Sequence, residues 1–353
     1  MTMAMDVMNQ IAFLLNDSGN ANRLRNVLVS VAKLPEYAQW EERGQFTGRR
    51  FRLPRGFIPT HPKERRLLES ARLVVDDFLQ VKINLVDGLV FLTDGLFVPS
   101  ESRVFPWHDE SGQLITAMHE AGWAGWPTTI VDPATGCGHN ALRVADVERF
   151  GLDVSMRALC FAVVNSLLND RPFAMLGLGG VERKIPQVRG LGDERVLFLI
   201  NMPFAIEPVP GALVRTAAGG KNGYEKTISA LEAVREYATK SPEAHVRALV
   251  LAYSIGKQTE NRWFVAEAAK RMFGADAVSW RTLTGEKQWR VNGKKEQPNP
   301  MPLSSLRLKA EDIYYVKDEK REAMRVGYDE KERELRRAGY DALAYGVLQI
   351  EVP

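Results

Sequence analysis

The sequence predicts an α/β protein with a mostly parallel seven-stranded sheet and a mainly helical N-terminal accessory domain. From Trp126 onward, short β-prone segments alternate with helical ones, which is typical of parallel sheets covered by helices on both faces. Apolar residues recur at helical spacing over residues 7–15, 23–34 and 63–81. With 353 residues, 45% of them hydrophobic, the chain can bury one large domain and a smaller one.

The accessory domain is predicted to cover residues 1–95. Its helical segments precede a β-prone stretch that Asp87-Gly88 and Asp94-Gly95 interrupt. Asp-Gly pairs favour tight hairpin turns because both residues tolerate positive φ. We therefore expect a β-hairpin near the end of this domain.

The α/β core is predicted over residues 96–284. Its strands are expected at 127–131, 149–152, 173–178, 196–200 and 248–253, and its helices at 155–168, 225–239 and 263–272. The Pro- and Lys-rich segment 285–338 is predicted to be an insertion with a solvated, charged helix over 317–338. Residues 339–353 contain a β-prone segment, 344–352, that we expect to be the last core strand, at the sheet edge.

Charge and cysteine content restrict the classes of function. Lys and Arg number 47 against 44 Asp and Glu, and a net charge of +3 is too weak to predict nucleic-acid binding by itself. The two cysteines do not form a disulfide framework or a zinc-ligand pattern, and no metal site is predicted. The sequence shows no apolar run of membrane-spanning length and no leader pattern, so we expect a cytoplasmic location without membrane attachment.

The segment TTIVDPATGCGHNAL has the features of a ligand-binding turn. A β-branched strand ends at Asp132, and Gly136 and Gly138 follow before a short helix. Glycines without Cβ atoms let the backbone approach a ligand closely. Cys137 between them is best explained as a small residue in a tight turn.

Two further strand ends carry polar residues. Asp153 follows the second strand, where an acid can bind two ribose hydroxyls, although it could equally cap the helix that begins near Ser155. Asn201, Met202, Pro203 and Phe204 follow the strand at 196–200, and ligands of open α/β sheets bind at the carboxyl ends of strands. An amide, free carbonyls and an aromatic ring there could hold an amine or a planar group.

Together these segments resemble class I S-adenosylmethionine (SAM)-dependent methyltransferases. The similarity covers residues 95–280 and is greatest to the N-methyltransferases with a small-methyltransferase domain, such as the release-factor glutamine and ribosomal-RNA guanine enzymes. VDPATGCGHNAL resembles their glycine loop, GLDVSMRALCFAVVNSLLN their ribose-binding strand and helix, and INMPF their Asn-Pro-Pro-aromatic motif, with Met202 in place of a proline.

The resemblance implies a Rossmann-like core that binds SAM as cofactor. It implies that Asp153 binds the ribose hydroxyls and that Asn201, the Met202 carbonyl and Phe204 face the acceptor. The catalytic residues would be Asn201, Met202, Pro203 and Phe204. The cofactor-binding residues would be Trp107, Asp132, Ala134, Gly136, Gly138, Asn140, Asp153, Val154 and Asn201.

Three functions stay open on the sequence. The first is N-methyl transfer to an amide or amine of a protein or small molecule, with a nucleic-acid acceptor disfavoured because the N-terminal domain is not densely basic. The second is a methyltransferase-fold lyase that cyclises SAM to azetidine-2-carboxylate and methylthioadenosine, with Phe105, Trp107 and Phe204 lining a closed site. The third is an NAD-binding or non-catalytic protein, since Ala141 replaces the last glycine of G-x-G-x-x-G. The oligomeric state is not predicted.

Overall fold

A computed structural model of the chain describes residues 18–40, 50–54, 62–94, 104, 109–181, 194–215, 217–283, 289–291, 294–297, 299–306 and 316–353. The chain divides into two compact units. The first contains Met1–Ser111 and Thr135–Gly179, and the second contains Gly112–Ala134 and Gly180–Pro353.

The α-helices and strands of the described residues follow in chain order. The helices are α1 (Ser18–Ala32), α2 (Pro35–Gln39), α3 (Pro62–Ser70), α4 (Asp109–Glu120), α5 (His139–Arg143), α6 (Met156–Leu168), α7 (Glu225–Lys240), α8 (Phe264–Phe273) and α9 (Arg321–Arg337). The strands are β1 (Val74–Val75), β2 (Phe78–Leu79), β3 (Lys82–Val86), β4 (Leu89–Thr93), β5 (Thr129–Asp132), β6 (Glu148–Asp153), β7 (Met175–Leu178), β8 (Arg195–Ile200), β9 (Ala205–Ile206), β10 (Ala218–Gly220), β11 (His245–Lys257), β12 (Arg262–Trp263), β13 (Val278–Thr282), β14 (Trp289–Val291), β15 (Lys294–Gln297), β16 (Met301–Pro302) and β17 (Ala342–Glu351).

The first unit is built on the parallel pair β6 and β7, which α6 connects. The apolar side chains of α6 are buried together with those of α1 and of the β3–β4 hairpin, and they form one hydrophobic core. Asp87 has φ 51° and Gly88 has φ 76°, so the Asp-Gly turn predicted between β3 and β4 is confirmed.

The prediction of one helix over residues 63–81 is wrong beyond Ser70. Residues 74–79 instead form the β1–β2 hairpin. Its turn residues, Asp76 and Asp77, have φ of 49° and 67°, a conformation that aspartate tolerates better than most residues. The flanking β-branched and aromatic residues favour strands, and this local preference overrides the helical spacing. The helix predicted over residues 7–15 lies outside the described residues.

The second unit contains five longer strands in the order β13-β17-β11-β8-β5, with the short β12 paired to β11 and the short β16 paired to β17. β5, β8 and β11 are parallel, and α7 connects β8 to β11. β17 is antiparallel to both of its neighbours. The α/β class and the Rossmann-like alternation of strand and helix are therefore confirmed.

The prediction that the last strand lies at the sheet edge is wrong. β17 pairs with β11 on one side and with β13 on the other. β13, which the sequence pattern did not indicate, can pair there because Gly346 of β17 leaves room for the Trp280 ring: a Cβ on Gly346 would lie 2.1 Å from a ring carbon.

The charged helix predicted after residue 316 exists as α9, but it is not simply solvated. Met324, Tyr328, Lys331 and Leu335 are buried, at the helical spacing of one apolar face. Among the described residues, no helix is long and apolar enough to pass through a bilayer.

Candidate functional site

The glycine segment forms a tight turn where the chain re-enters the first unit at Thr135. The Thr135 amide donates to the Leu152 carbonyl at 2.9 Å, and the Gly138 amide donates to the Thr135 carbonyl at 2.7 Å. Gly136 and Gly138 have φ of 53° and 84°, a region that residues with a Cβ enter at a cost. Both glycines are therefore required by the backbone path.

Asp153 ends β6 and holds this turn. Its Oδ2 accepts the Gly136 amide at 2.9 Å, and its Oδ1 accepts the Ser155 amide at 2.8 Å. Helix α6 is capped instead by Ser155, whose hydroxyl accepts the Ala158 amide at 3.3 Å, so the reading of Asp153 as the cap is wrong. Asp153 therefore joins the end of β6 to the glycine turn and to the residue that caps α6.

The N-terminal part of the glycine segment, up to Ala134, belongs to the second unit. Asp132 is the last residue of β5 and is fully buried. Its Oδ1 accepts the Ala134 amide at 3.3 Å, a local turn that starts the path towards Gly136. Asp132 thus shapes the backbone of the segment from inside the strand end.

Helix α5 is short, as the small spacing between Gly138 and Asp153 requires. His139 and Asn140 are both buried, and His139 Nδ1 lies 3.3 Å from Asn140 Oδ1. The His139 ring packs 5.1 Å from the Phe91 ring, measured between centroids. Burial, followed by repulsion from Arg143, lowers the pKa of His139 to about 3, against a smaller opposing effect of the Asn140 hydrogen bond. His139 is therefore a neutral core residue at neutral pH.

Asn165, which the sequence analysis did not single out, ties the glycine turn to the rest of the first unit. This side chain is fully buried on α6. Its Nδ2 donates to the Cys137 carbonyl at 2.9 Å and to the Leu92 carbonyl at 3.0 Å, and its Oδ1 accepts the Leu92 amide at 2.7 Å. One signal was available: a polar residue in the otherwise apolar run FAVVNSLL requires buried partners.

The third predicted segment follows β8 in the second unit. Asn201 is partly exposed, and its side chain forms no hydrogen bond with the described part of the chain. Met202 is buried, whereas Pro203 and Phe204 are partly exposed. The Phe204 ring lies 5.4 Å from the Tyr345 ring and 6.3 Å from the Tyr253 ring. The segment thus presents an amide and a partly exposed aromatic ring at the carboxyl end of a buried parallel strand.

Glu207 lies three residues beyond Phe204, near charged groups of the second unit. Its Oε1 accepts the Leu213 amide at 2.9 Å. Burial lowers the pKa of Lys226, while attraction by Glu207 raises it and repulsion by Arg215 lowers it further. Glu207 therefore combines a structural hydrogen bond with an electrostatic interaction.

The predicted site residues are divided between the two units. The first contains Gly136, Gly138, Asn140, Asp153 and Val154, of which Val154 is 50% exposed. The second contains Asp132, Ala134 and the segment 201–204. Trp107, like Phe105, lies outside the described residues.

Comparisons with known proteins add structures of low similarity. No protein-family model matches the chain, and no curated protein matches it. A SAM-dependent methyltransferase from Agrobacterium tumefaciens is 13% identical, with 78% of this chain and 70% of that chain covered and a TM-score of 0.40. A putative transferase from Pyrococcus horikoshii is 11% identical, with 94% and 99% covered and a TM-score of 0.37.

Phosphoethanolamine N-methyltransferase 2 from Haemonchus contortus, solved with S-adenosyl-L-methionine, is 12% identical, with 69% of this chain covered and a TM-score of 0.35. The match spans about half of that enzyme, 52% of its length. Similarity this low supports no transfer of residues or activity to this chain.

Proposed function

We propose that this protein binds SAM and transfers its methyl group to a nitrogen atom of a protein or small molecule. One observation carries the proposal. The Asp153 carboxylate at the end of β6 accepts the Gly136 amide at 2.9 Å, so that an acid at a strand end is joined directly to a glycine turn. An acid and a glycine turn so joined are the features of nucleoside binding in α/β folds.

The residues present fit the nucleoside part of SAM. A ribose offers two neighbouring hydroxyl donors, and a carboxylate at a strand end beside a glycine turn is the group that binds them in α/β nucleoside sites. Gly136 has no Cβ, so a ligand can approach the backbone of the turn closely at this position. When bound, SAM supplies an electrophilic methyl group on a sulfonium. Trp107, Ala134, Asn140 and Val154 stay proposed cofactor residues.

The acceptor would be held by the segment after β8. The Asn201 side chain has hydrogen-bonding capacity available, and the Met202 carbonyl follows a strand end. Both can orient an amine or amide N–H, while Phe204 provides a flat apolar surface. Catalysis would then consist mainly of positioning a neutral nitrogen, because a correctly oriented nucleophile needs little acid–base assistance.

The domain assignment belongs to the same proposal. Residues 96–284 with 339–353 would form the catalytic core, residues 1–95 would contribute to substrate selection, and residues 285–338 would be an insertion. Accessory segments attached to a shared catalytic core commonly set its specificity.

The proposal is tested in two steps. Calorimetric titration of the full chain with SAM and, separately, with NAD measures which nucleoside it binds; binding of NAD but not SAM would overturn the assignment. Labelled SAM is then incubated with the protein alone and with a primary amine, a glutamine-containing peptide or total RNA, and the products are analysed by mass. S-adenosylhomocysteine that forms only with an acceptor supports transfer, whereas methylthioadenosine from SAM alone would indicate the cyclising reaction.

A further inference from the structure

Helix α9 donates two hydrogen bonds to residues that follow the proposed acceptor segment, one to a backbone carbonyl and one to a side chain. The buried Tyr328 hydroxyl donates to the Ile206 carbonyl at 2.8 Å. One turn further along, the buried Lys331 ammonium donates to the Asn222 side-chain oxygen and, at 3.0 Å, to Glu334. Burying the ammonium group of a lysine is costly unless it is hydrogen-bonded, so the contact to Asn222 requires a defined loop position.

Ile206 belongs to β9, and Asn222 follows β10, the strand that pairs with β9. β9 and β10 are parallel neighbours, and the amides of Ala205 and Glu207 donate to the Ala217 and Gly220 carbonyls, both at 2.8 Å. A Cβ on Gly219 would lie 2.5 Å from the Phe204 Cα, so no larger residue fits against this backbone. The glycine-rich loop, residues 219–223, therefore fixes where Phe204 lies.

Hydrogen bonds to Glu225 hold the glycine-rich loop beside the β9–β10 pair. The Glu225 carboxylate accepts the Asn222 amide at 3.0 Å and its side-chain Nδ2 at 2.6 Å. With Nδ2 held by Glu225, the Asn222 oxygen is turned to Lys331, since the two groups of one planar amide move together. Lys331 thus acts on the loop through Asn222, and the loop acts on Phe204 through close packing.

We propose that Tyr328 and Lys331 are positioning residues for the acceptor segment: α9 sets the backbone of residues 201–207 through Ile206 and Asn222. The inference rests on the proposed function only for the purpose of this positioning, which is to bind the acceptor. The positioning gives the charged region 285–338 a role in turnover. Tyr328 and Lys331 would act on the acceptor segment without belonging to it.

The test uses full-length Tyr328→Phe and Lys331→Met, with Arg337→Met as the control because Arg337 is an exposed cation of the same helix. Methionine matches the length of lysine and removes the donor to both Asn222 and Glu334. Asn222 keeps its hydrogen bonds to Glu225, and the exposed Glu334 keeps Lys221 at 3.9 Å, so the fold is expected to persist. Four quantities are measured: the hydrogen-exchange rates of the Ala205 and Glu207 amides, the Kd of SAM, and both kcat and KM for methyl transfer to the probe acceptors named above.

We expect both variants to exchange the two amides at least about fivefold faster than the wild type, with β11 unchanged, because local opening is separate from global unfolding. We expect kcat to fall about tenfold while the Kd of SAM stays within about twofold. Unchanged amide exchange, or faster exchange in β11 to the same extent, would overturn the inference, as would a loss of SAM affinity equal to the loss in kcat.

Failure of the proposed function itself would look different. A wild-type chain that binds no SAM refutes the function, and the exchange rates of Ala205 and Glu207 still decide whether α9 holds this backbone. If none of the probe acceptors is methylated, the same exchange rates decide the inference alone.

Discussion

The side-chain amide of Asn165 donates to the Cys137 carbonyl at 2.9 Å and so joins the middle of α6 to the centre of the glycine turn. The same amide group pairs with both backbone groups of Leu92 on β4. One fully buried side chain therefore connects the turn, the helix and the hairpin of the first unit.

We predict that Asn165→Ala destabilises the protein by about 1–3 kcal/mol, because it leaves buried backbone groups without partners. We also predict that the Kd of SAM rises about tenfold, since the Cys137 carbonyl loses the donor that holds the turn. Asn169→Ala is the control: Asn169 makes the equivalent contacts to Val90 of β4 but none to the turn. Urea unfolding and SAM titration should show lost stability in both variants and lost affinity only in Asn165→Ala; equal affinities would contradict the role of Asn165.

Asp153→Asn should weaken SAM binding about 10- to 100-fold, as expected for the loss of hydrogen bonds to a charged group. Asparagine retains one acceptor oxygen, so the turn loses fewer hydrogen bonds than in Asp153→Ala. The alanine variant removes the partners of both the Gly136 and Ser155 amides. The control is Ser155→Ala, which removes the helix cap but leaves the carboxylate. Calorimetry with SAM distinguishes them, and an Asp153→Asn variant that binds SAM as tightly as the wild type would refute the ribose-binding role.

Asn201→Ala should reduce turnover at least about tenfold and change the Kd of SAM by no more than about twofold, because the amide is proposed to orient the acceptor. Steady-state kinetics with the accepted probe and SAM titration give the two quantities. Asn169→Ala, which removes an amide of the other unit, should leave kcat unchanged. Parallel losses of kcat and SAM affinity would instead place Asn201 in cofactor binding.

The buried His139 should make stability depend on pH below neutrality. Its pKa is lowered to about 3 in the folded protein, whereas the ordinary value is 6.5. Between these values the unfolded chain takes up a proton that the folded chain does not, so the free energy of unfolding falls as pH decreases from 6.5 towards 3. The slope from this one group is at most about 1.4 kcal/mol per pH unit.

Urea unfolding at several pH values checks this dependence. In His139→Phe, which keeps an aromatic ring beside Phe91, the decline should be shallower. His245→Gln is the control because His245 is exposed. Identical pH profiles for His139→Phe and the wild type would show that His139 does not cause the pH dependence of the free energy of unfolding.

The order of strands and helices in the core followed from the sequence because each element depends on residues close together in the chain. Apolar runs predicted β5, β6, β8 and β11, and helical periodicity predicted α6, α7 and α8. The glycine turn was predictable for the same reason: positive φ at Gly136 and Gly138 is a local requirement of the backbone.

Only the tertiary structure decided what joins these elements. Asn165 binds Cys137, which is 28 residues away in the sequence, and Leu92, which is 73 residues away. Tyr328 binds Ile206 over a separation of 122 residues. The same holds for β17, whose place between β11 and β13 depends on pairing over long separations. A sequence pattern reports which side chains must be buried, but the partner of a buried polar group is set by the way distant segments pack.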